Sequence, residues 1–387
     1  MAGSLAIRAA GALLGFLLAT AIAPARAGDA RSSTDVIHVE TDSSAGITVR
    51  LAEDMASLVD DGATRRIIPL VGQGGLQNVA DLVQMPGIDM AILQLDVLDY
   101  ARAQKLFPGL ETNTTYIAKL NYVEFHLLAR RDVVSIADLG TQSISIGPRG
   151  GNSAITAAQL FGLLKLSPTL NYDDPEIAIG KLRRGEIGAV AFVGGKPAPL
   201  LRLASAEGLH LLPIPMTPAV VGTYVPTRLS ATDYPGLIAP DAPVETIAVG
   251  TGLFVGPLAV GSDEYRKVAN VVDTLFTQFQ TLLAPGHHGK WAEVNLSSEI
   301  PGWHRFAPAD DWLKRNASIV AGQDLRAIFM RFLDEHSRAS AGPQMSQTQK
   351  DALFDQFRQW QAGQVNPAGP ASAASPANEG GQTNQGH

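Results

Sequence analysis

The stretch from Ser143 to Phe161 carries the pattern in this sequence with the clearest chemical use. Its first four residues alternate in the way typical of a short strand, and the glycines and proline of Gly147 to Gly151 predict an irregular loop. Asn152 and Ser153 are favourable N-cap residues for the helix predicted after them. Free backbone N–H groups and the positive end of a helix dipole bind anions at such a junction. The pattern indicates a site for a carboxylate, phosphate or sulfate, although glycine-rich junctions also occur in α/β proteins without a ligand.

Similar loops follow other predicted strands. They are the turn with Ser43 and Ser44, the loop Gly72 to Gly75, the segment Gln94 to Asp96, and the pair Gly194 and Gly195. The loop Gly147 to Gly151 does not end in the Gly-Lys-Ser/Thr of a Walker loop, and it lacks the G-x-G-x-x-G spacing of a dinucleotide site. The loops are therefore predicted to present backbone N–H groups and small polar side chains to a small ligand.

The elements that must position these loops alternate between strand and helix. The predicted order is strand Asp35–Thr41, helix Ile47–Val59, strand Ile67–Val71, helix Leu76–Gln84, strand Met90–Leu95, helix Val97–Leu106, strands Tyr116–Leu120 and Glu124–Ala129, strand Ile187–Val193, strand Thr246–Val255 and helix Asp263–Leu283. This alternation predicts an α/β fold with a mostly parallel sheet and helices on both faces. Ligands collect at the carboxyl ends of the strands in such sheets, which is where the loops lie.

The ends of the chain differ in composition from the rest. Met1 to Ala27 has Arg8 as the lone positive charge before a short apolar run, and it ends in the small-x-small pattern Ala25-Arg26-Ala27. This composition predicts a cleaved signal peptide, with a retained anchor as the alternative. Val365 to His387 has almost no large apolar residues and is predicted to be disordered. The chain has no cysteine, so disulfides are excluded. Its net charge of −7 is spread along the chain, so a nucleic-acid partner is not expected. We also expect no membrane span after signal cleavage.

Five segments resemble, in order, motifs of the TAXI-type solute receptors of TRAP transporters. They are Gly74 to Asn78, Ala91 to Val97, Ser145 to Asn152, Lys181 to Gly195 and Tyr234 to Gly236, within roughly Asp35 to Val255. This sequence departs from the family where two tyrosines usually follow the first strand, because it has Ile47 and Thr48 there. It also has Leu95 where the family has serine, which puts the identity of the ligand in doubt.

The resemblance implies a two-lobed, periplasmic-binding-protein-like α/β fold with a ligand cleft between the lobes. The implied divisions are a signal peptide at 1–27, the first lobe at 35–130, the second lobe at 131–245, a return to the first lobe with C-terminal helices at 246–340, a helix at 341–364 and a disordered tail at 365–387. Each lobe would contain a mostly parallel sheet flanked by helices, and the ligand would close the cleft by contacting both lobes.

The implied function is an extracytoplasmic, periplasmic receptor that captures a small carboxylate for the membrane permease subunits of a TRAP-type transporter. The candidate ligand-binding residues are Ser43, Ser44, Gln73, Gly74, Gly75, Asn78, Gln94, Asp96, Gly147, Arg149, Gly150, Gly151, Asn152, Ser153, Phe192, Gly194 and Gly195. We expect no cofactor and no metal site. His287, His288 and His304 lie close together in the sequence, but they belong to an aromatic segment that we predict to be a packed surface flap.

Two other classes of protein remain open at this stage. An enzyme is disfavoured because Asp96, Glu124, His126 and Glu186 are scattered acids and bases without a G-x-S-x-G or H-E-x-x-H motif. An envelope sensor or interaction protein with the same fold and a degenerate cleft is favoured by the missing tyrosines and by the long C-terminal part.

Overall fold

The computed structural model describes residues 35–42, 46–203, 208–318 and 345–365, with a few positions between 321 and 333. The predicted signal peptide, the candidate residues Ser43 and Ser44, and the predicted tail beyond Val365 lie outside these residues.

Ten strands and eleven α-helices account for most of the described chain. The strands are β1 Asp35–Thr41, β2 Arg65–Val71, β3 Met90–Gln94, β4 Thr115–Arg130, β5 Ser143–Ser145, β6 Thr169–Asn171, β7 Ala189–Gly194, β8 Leu209–Leu211, β9 Val225–Leu229 and β10 Val244–Val255. The helices are α1 Ile47–Val59, α2 Leu76–Gln84, α3 Leu95–Ala103, α4 Leu110–Asn113, α5 Asn152–Leu163, α6 Pro175–Arg183, α7 Pro199–Leu203, α8 Pro218–Val221, α9 Asp263–Thr277, α10 Ala307–Arg315 and α11 Gln347–Val365. Three 3₁₀ helices, Ile136–Thr141, Phe279–Leu283 and Gly289–Glu293, connect them.

The strands form one mixed sheet in the order β2-β1-β3-β10-β4-β7-β5-β6, with β8 beside β4 and β9 beside β10. Strand β1 is parallel to β2 and β3, and β5 is parallel to β6 and β7. Strands β4 and β10 run antiparallel to each other in the middle. The predicted α/β class with two lobes is confirmed, and we call the β2-β1-β3 side the first lobe and the β7-β5-β6 side the second.

Two strands pass from one lobe into the other. The sequence predicted a break between two strands near Asn121, and this prediction was wrong, because β4 is continuous through 16 residues. Tyr122 and Val123 stay paired with Gly250 and Val249 of β10, so the backbone remains extended where the strands cross. The register between the two strands shifts between Gly250 and Gly252, which marks an irregularity at the crossing.

Each lobe has its own apolar cores. In the first lobe, α1 places Leu51, Met55 and Val59 on one face, at the four-residue spacing that a helix requires, and packs them against β1, β3 and α9. In the second lobe, Phe125 and Leu160 belong to one core, while another core covers the opposite face of the sheet. Each of these cores is therefore built within a single lobe.

The aromatic side chains of the segment from Trp291 to Trp312 pack against the first lobe, while Pro301, Gly302 and His304 between them are exposed. This arrangement agrees with the predicted packed surface flap. Trp291 packs edge-on against Phe279, and Trp312 packs edge-on against Phe276 of α9. Aromatic rings bury large areas, so these contacts anchor the segment to the core. His287 and His288 do not form a metal site with His304. His287 instead faces Asp54, and among the described residues no group of three or more metal-binding side chains is found.

Candidate functional site

The predicted loops of the two lobes meet directly. The carboxyl ends of β1, β2 and β3 lie at the edge of the first lobe that faces the start of α5 in the second lobe. The backbone N–H of Leu76 donates to the carbonyl oxygen of Gly150 at 2.9 Å. Gly75 has a φ of 62°, and a Cβ there would lie 2.6 Å from the Cα of Gly151 and overlap the Gly150 carbonyl oxygen. Only glycine therefore allows the two loops to approach this closely.

Asn152 connects the loops through both ends of its side-chain amide. Its Oδ1 accepts a hydrogen bond from the backbone N–H of Gly75 at 2.9 Å, and its Nδ2 donates to Oδ2 of Asp42 at 2.9 Å. Asp42 also accepts a hydrogen bond from the hydroxyl of Thr48. Burial raises the pKa of the Asp42 carboxyl, while the bonds from Thr48 and Asn152 act in the opposite direction.

The expectation that Asn152 or Ser153 caps α5 was wrong. The N-cap is Gly151, whose backbone is extended, and no side chain caps the helix. The side chain of Asn152 is committed to the first lobe, and Oγ of Ser153 accepts a hydrogen bond from the N–H of Val193 at 2.9 Å. Because both side chains have partners elsewhere, the capping role that their residue types favour is not used.

A second buried network surrounds Asp96. Its Oδ1 accepts from Gln94 Nε2 at 2.7 Å, and its Oδ2 accepts from the hydroxyls of Thr156 at 2.7 Å and Tyr224 at 3.3 Å. The Gln94 amide also donates to Thr156 at 2.8 Å. Burial raises the pKa of the Asp96 carboxyl, and these hydrogen bonds oppose the shift. The first-lobe pair of Gln94 and Asp96 is thus bonded to the second lobe.

Sequence reasoning missed Thr156 and Tyr224. Thr156 lies four residues after Asn152 and therefore on the same face of α5, which is a spacing that the sequence did contain. Tyr224 lies in a segment rich in proline and glycine, and nothing in the sequence distinguished it.

Apolar side chains complete the contact. Ile155 of α5 is buried among first-lobe residues such as Val79, Leu82 and Leu98. The side chain of Ile47 fills the space over Gly195, where any Cβ would collide with it. Gly195 is therefore part of the junction, whereas Gly194 belongs to the sheet, where it is paired with Glu124.

The structure places other candidate residues away from the junction or in supporting roles. The ring of Phe192 stacks on the ring of His126 inside the second lobe, with 4.6 Å between the ring centroids. The guanidinium of Arg149 lies 3.8 Å over the ring of Tyr172, and the residue is exposed. Asn78 accepts from the N–H of Gly74 and donates to the carbonyl of Thr41, so it holds the first-lobe loop in shape. Gln73 is exposed beside this loop, and Gly147 and Gly150 have positive φ angles in the second-lobe loop.

A buried carboxyl lies behind the first-lobe loop. Glu40 of β1 is 4% exposed, and its Oε2 has no hydrogen-bond partner among the described residues. Burial, followed by the neighbouring Asp81, raises the pKa of Glu40 to about 8. The raised pKa favours the uncharged form of Glu40 near neutral pH, which reduces its negative charge beside the loop.

Charged groups at the strand crossing tie several segments together. Nζ of Lys290 lies 2.7 Å from carboxylate oxygens of both Glu124 and Glu293. The other oxygen of Glu124 accepts from the backbone N–H of Lys196 at 3.1 Å. Glu293 accepts from the N–H of Tyr122 at 3.0 Å. Burial raises the pKa of Glu124, and the Lys290 charge opposes that shift.

The acids and bases considered for catalysis have separate partners. Nε2 of His126 lies 2.6 Å from the hydroxyl of Tyr234, and burial lowers the pKa of His126 to about 3. Glu124 binds Lys290, and Glu186 pairs with Arg184 at the surface. Acid–base catalysis requires such groups to lie within hydrogen-bond reach of one reacting position. These groups do not converge in that way.

Two lobes, two crossing strands and facing loops define the architecture of periplasmic binding proteins. The sequence matches the NMT1-like family over residues 42–279, and the chain belongs to that family. Among proteins with curated descriptions, none matches this sequence. None of the helices in the described part of the chain has the length and apolar character that crossing a bilayer needs.

Several solved structures are similar to this chain at low identity. The aliphatic sulphonate binding protein SsuA from Escherichia coli is 13% identical, with 87% of this chain and 94% of that chain covered and a TM-score of 0.39. A TctC solute binding protein from Polaromonas is 15% identical, covering 72% of this chain and 88% of that one, with a TM-score of 0.38. The substrate binding protein of an amino acid ABC transporter is 11% identical, with 67% of this chain and 96% of that chain covered and a TM-score of 0.39. At these values the likenesses carry no conclusion about a ligand.

Proposed function

We propose that this protein is a periplasmic solute-binding receptor that captures a small carboxylate between its lobes for the permease subunits of a TRAP-type transporter. The observation that carries the proposal is the meeting of the first-lobe strand ends with the N-terminus of α5. The first backbone N–H groups of a helix lack intrahelical partners and attract a negative charge. A solute carboxylate is expected to bind there after the lobes separate.

Opening is expected at the crossing of β4 and β10. These two strands join the lobes, and their pairing is irregular between Gly250 and Gly252. A solute that contacts both lobes favours the closed form, because its bonds to the two sides exist together only there. This mechanism involves no chemical change in the solute, so we expect no turnover.

A second candidate is an envelope sensor or interaction protein whose cleft takes no solute. It is favoured by the pairing of Asn152, Gln94 and Asp96 with protein groups, which leaves these side chains satisfied without a ligand. The second candidate needs no permease.

A thermal-shift screen over small carboxylates, followed by calorimetry, separates the two candidates. A solute at a hundredfold its dissociation constant should stabilise the folded protein by about 2.7 kcal/mol. Ser153→Ala should weaken binding of the solute found, while Ser57→Ala, an exposed position on α1, should bind like the unaltered protein. Absence of any shift across the screen, with a folded protein, would refute the proposed receptor for carboxylates and favour the second candidate.

A further inference from the structure

We infer that the two lobes of this chain close on each other without a solute, because two first-lobe carboxylates, Asp42 and Asp96, bind the start of α5 in the second lobe. The carboxylates act as built-in substitutes for a solute carboxylate. This inference concerns the free protein and does not rest on the proposed transport role.

The first contact is made by Asp42, at the end of β1. Its Oδ2 accepts from Nδ2 of Asn152, the first residue of α5, at 2.9 Å. The other end of the same amide accepts from the N–H of Gly75. A carboxylate beside a helix N-terminus is favourably placed in the field of the helix dipole. Asp42 thus takes up the side-chain amide of Asn152, one of the groups that the sequence predicted for the carboxylate of a ligand.

The second contact is made by Asp96 of α3, whose partner Thr156 lies one turn beyond Asn152 on α5. Thr156 and Tyr224 of the second lobe both donate to its Oδ2, and Gln94 donates to Oδ1 as well as to Thr156. The carboxylate is 8% exposed. Separation of the lobes would break the bonds from Thr156 and Tyr224 and leave Asp96 bonded only to Gln94 of its own lobe. The network is therefore complete only while the lobes are together.

Backbone and apolar contacts reinforce the two carboxylates. The bond from Leu76 N–H to the Gly150 carbonyl joins the loops, and Ile155 is buried in the first-lobe core. Ile47 covers Gly195 on the other side of the junction. Opening would expose these apolar surfaces to water, which is unfavourable.

The closed form is therefore autoinhibitory toward an anionic solute. A solute carboxylate must compete with Asp42 for the N-terminus of α5, and it can enter only the fraction of molecules that are open. The apparent dissociation constant rises in inverse proportion to that fraction. Removing the two carboxylates should open the lobes in the free protein.

Distance measurements between spin labels test this inference without any solute. The chain has no native cysteine, so Ser57→Cys on α1 and Glu176→Cys on α6, both exposed and in different lobes, can be labelled uniquely. The labelled but otherwise unaltered protein should give one narrow distance distribution. Adding Asp42→Ala and Asp96→Ala should shift and broaden that distribution by more than its original width.

Two controls keep the test decisive. Asp99→Ala lies on α3, one turn beyond Asp96 and in contact with Arg102 rather than the second lobe, and should leave the distribution unchanged. Thr156→Val removes the donor from the second-lobe side and should broaden the distribution even if the double carboxylate variant fails to fold. A broad distribution in the labelled parent, or a narrow one in a folded Thr156→Val variant, would overturn the inference. These measurements contain no solute, so whether the protein binds a carboxylate is tested separately by the calorimetry.

Discussion

Gly75 shows at the scale of one residue how the two loops can touch. Its φ of 62° and ψ of −137° lie in a region open almost only to glycine, and its missing side chain leaves room for the second-lobe backbone. The sequence predicted a glycine loop here but gave no indication that the second lobe would occupy the space beside it.

We expect Gly75→Ala to separate the loops, because its Cβ would collide with backbone atoms of Gly150 and Gly151 that cannot rotate away. Small-angle scattering should then give a larger radius of gyration. Gly62→Ala is the control, since Gly62 also has a positive φ but has no atom within 4 Å of a built Cβ. That variant should lose about 1–2 kcal/mol of unfolding free energy while keeping the parent dimensions. Equal dimensions for both variants would contradict the prediction.

His126 makes stability depend on pH. Its pKa is about 3 in the folded protein because burial disfavours the charged ring, against about 6.5 in the unfolded chain. The His126 ring is mostly uncharged in the folded and in the unfolded protein above pH 6.5. Below that pH the ring binds a proton in the unfolded chain but not in the folded protein. The unfolding free energy should therefore fall as pH decreases from 6.5 toward 3, by at most about 1.4 kcal/mol per unit from this group.

Denaturant titrations of the parent and of His126→Gln between pH 4 and 8 measure this contribution. The parent should lose stability more steeply below pH 6.5 than the variant, whose side chain does not titrate. His210→Gln is the control, because His210 is only partly buried in β8 and bonds to the Val133 carbonyl. Identical slopes for the parent and His126→Gln would contradict the expectation.

At the scale of elements, the continuous strand β4 and the 3₁₀ helix Gly289–Glu293 determine how the lobes are joined. Lys290 comes from a segment far along the chain and reaches Glu124 beside the crossing. The sequence identified Glu124 as an isolated acid, since the pairing of residues 166 positions apart is set by the tertiary fold.

Replacing Lys290 with Met should be strongly destabilising, because it leaves the Glu124 carboxylate buried without its cation. Breaking a buried pair from one side typically costs about 3–5 kcal/mol. The double change of Lys290→Met with Glu124→Gln should recover much of this loss, and thermal and denaturant unfolding measure both. Lys314→Met, which breaks an exposed pair with Asp310, should cost less than about 1 kcal/mol. Equal losses for the two lysine changes would show that burial of the pair does not matter.

At the scale of the whole molecule, the order of strands explains why the candidate residues come together. Parallel strands end at the same edge of each half-sheet, and the antiparallel pair β4 and β10 makes those two edges face each other. The residues of the junction are therefore spread over more than 180 positions of the chain, from Asp42 to Tyr224.

We predict that the mature protein begins near Gly28, since the first 27 residues have the composition of a cleaved signal peptide. Expression of the full sequence in a bacterium, followed by osmotic release of the periplasm and intact-mass measurement, should give a chain that starts at or close to Gly28. Replacing Ala25 and Ala27 with Lys should block cleavage and keep the protein in the membrane fraction. Recovery of the unaltered full sequence in the membrane with Met1 still attached would refute the prediction.

The sequence by itself determined the class of fold, most strands and helices, and the glycine loops, because these depend on local periodicity and on backbone angles that few residues allow. It also named Asn152, Gln94 and Asp96, but as ligand-binding residues, and that role stays a prediction. Only the tertiary structure decided that these side chains bond across the junction, that Thr156 and Tyr224 join them, and where the aromatic side chains near Trp303 pack. Such pairings depend on which distant segments the sheet brings together. The apolar pattern of one strand or helix shows which of its faces is buried, but it does not show which segment packs against that face.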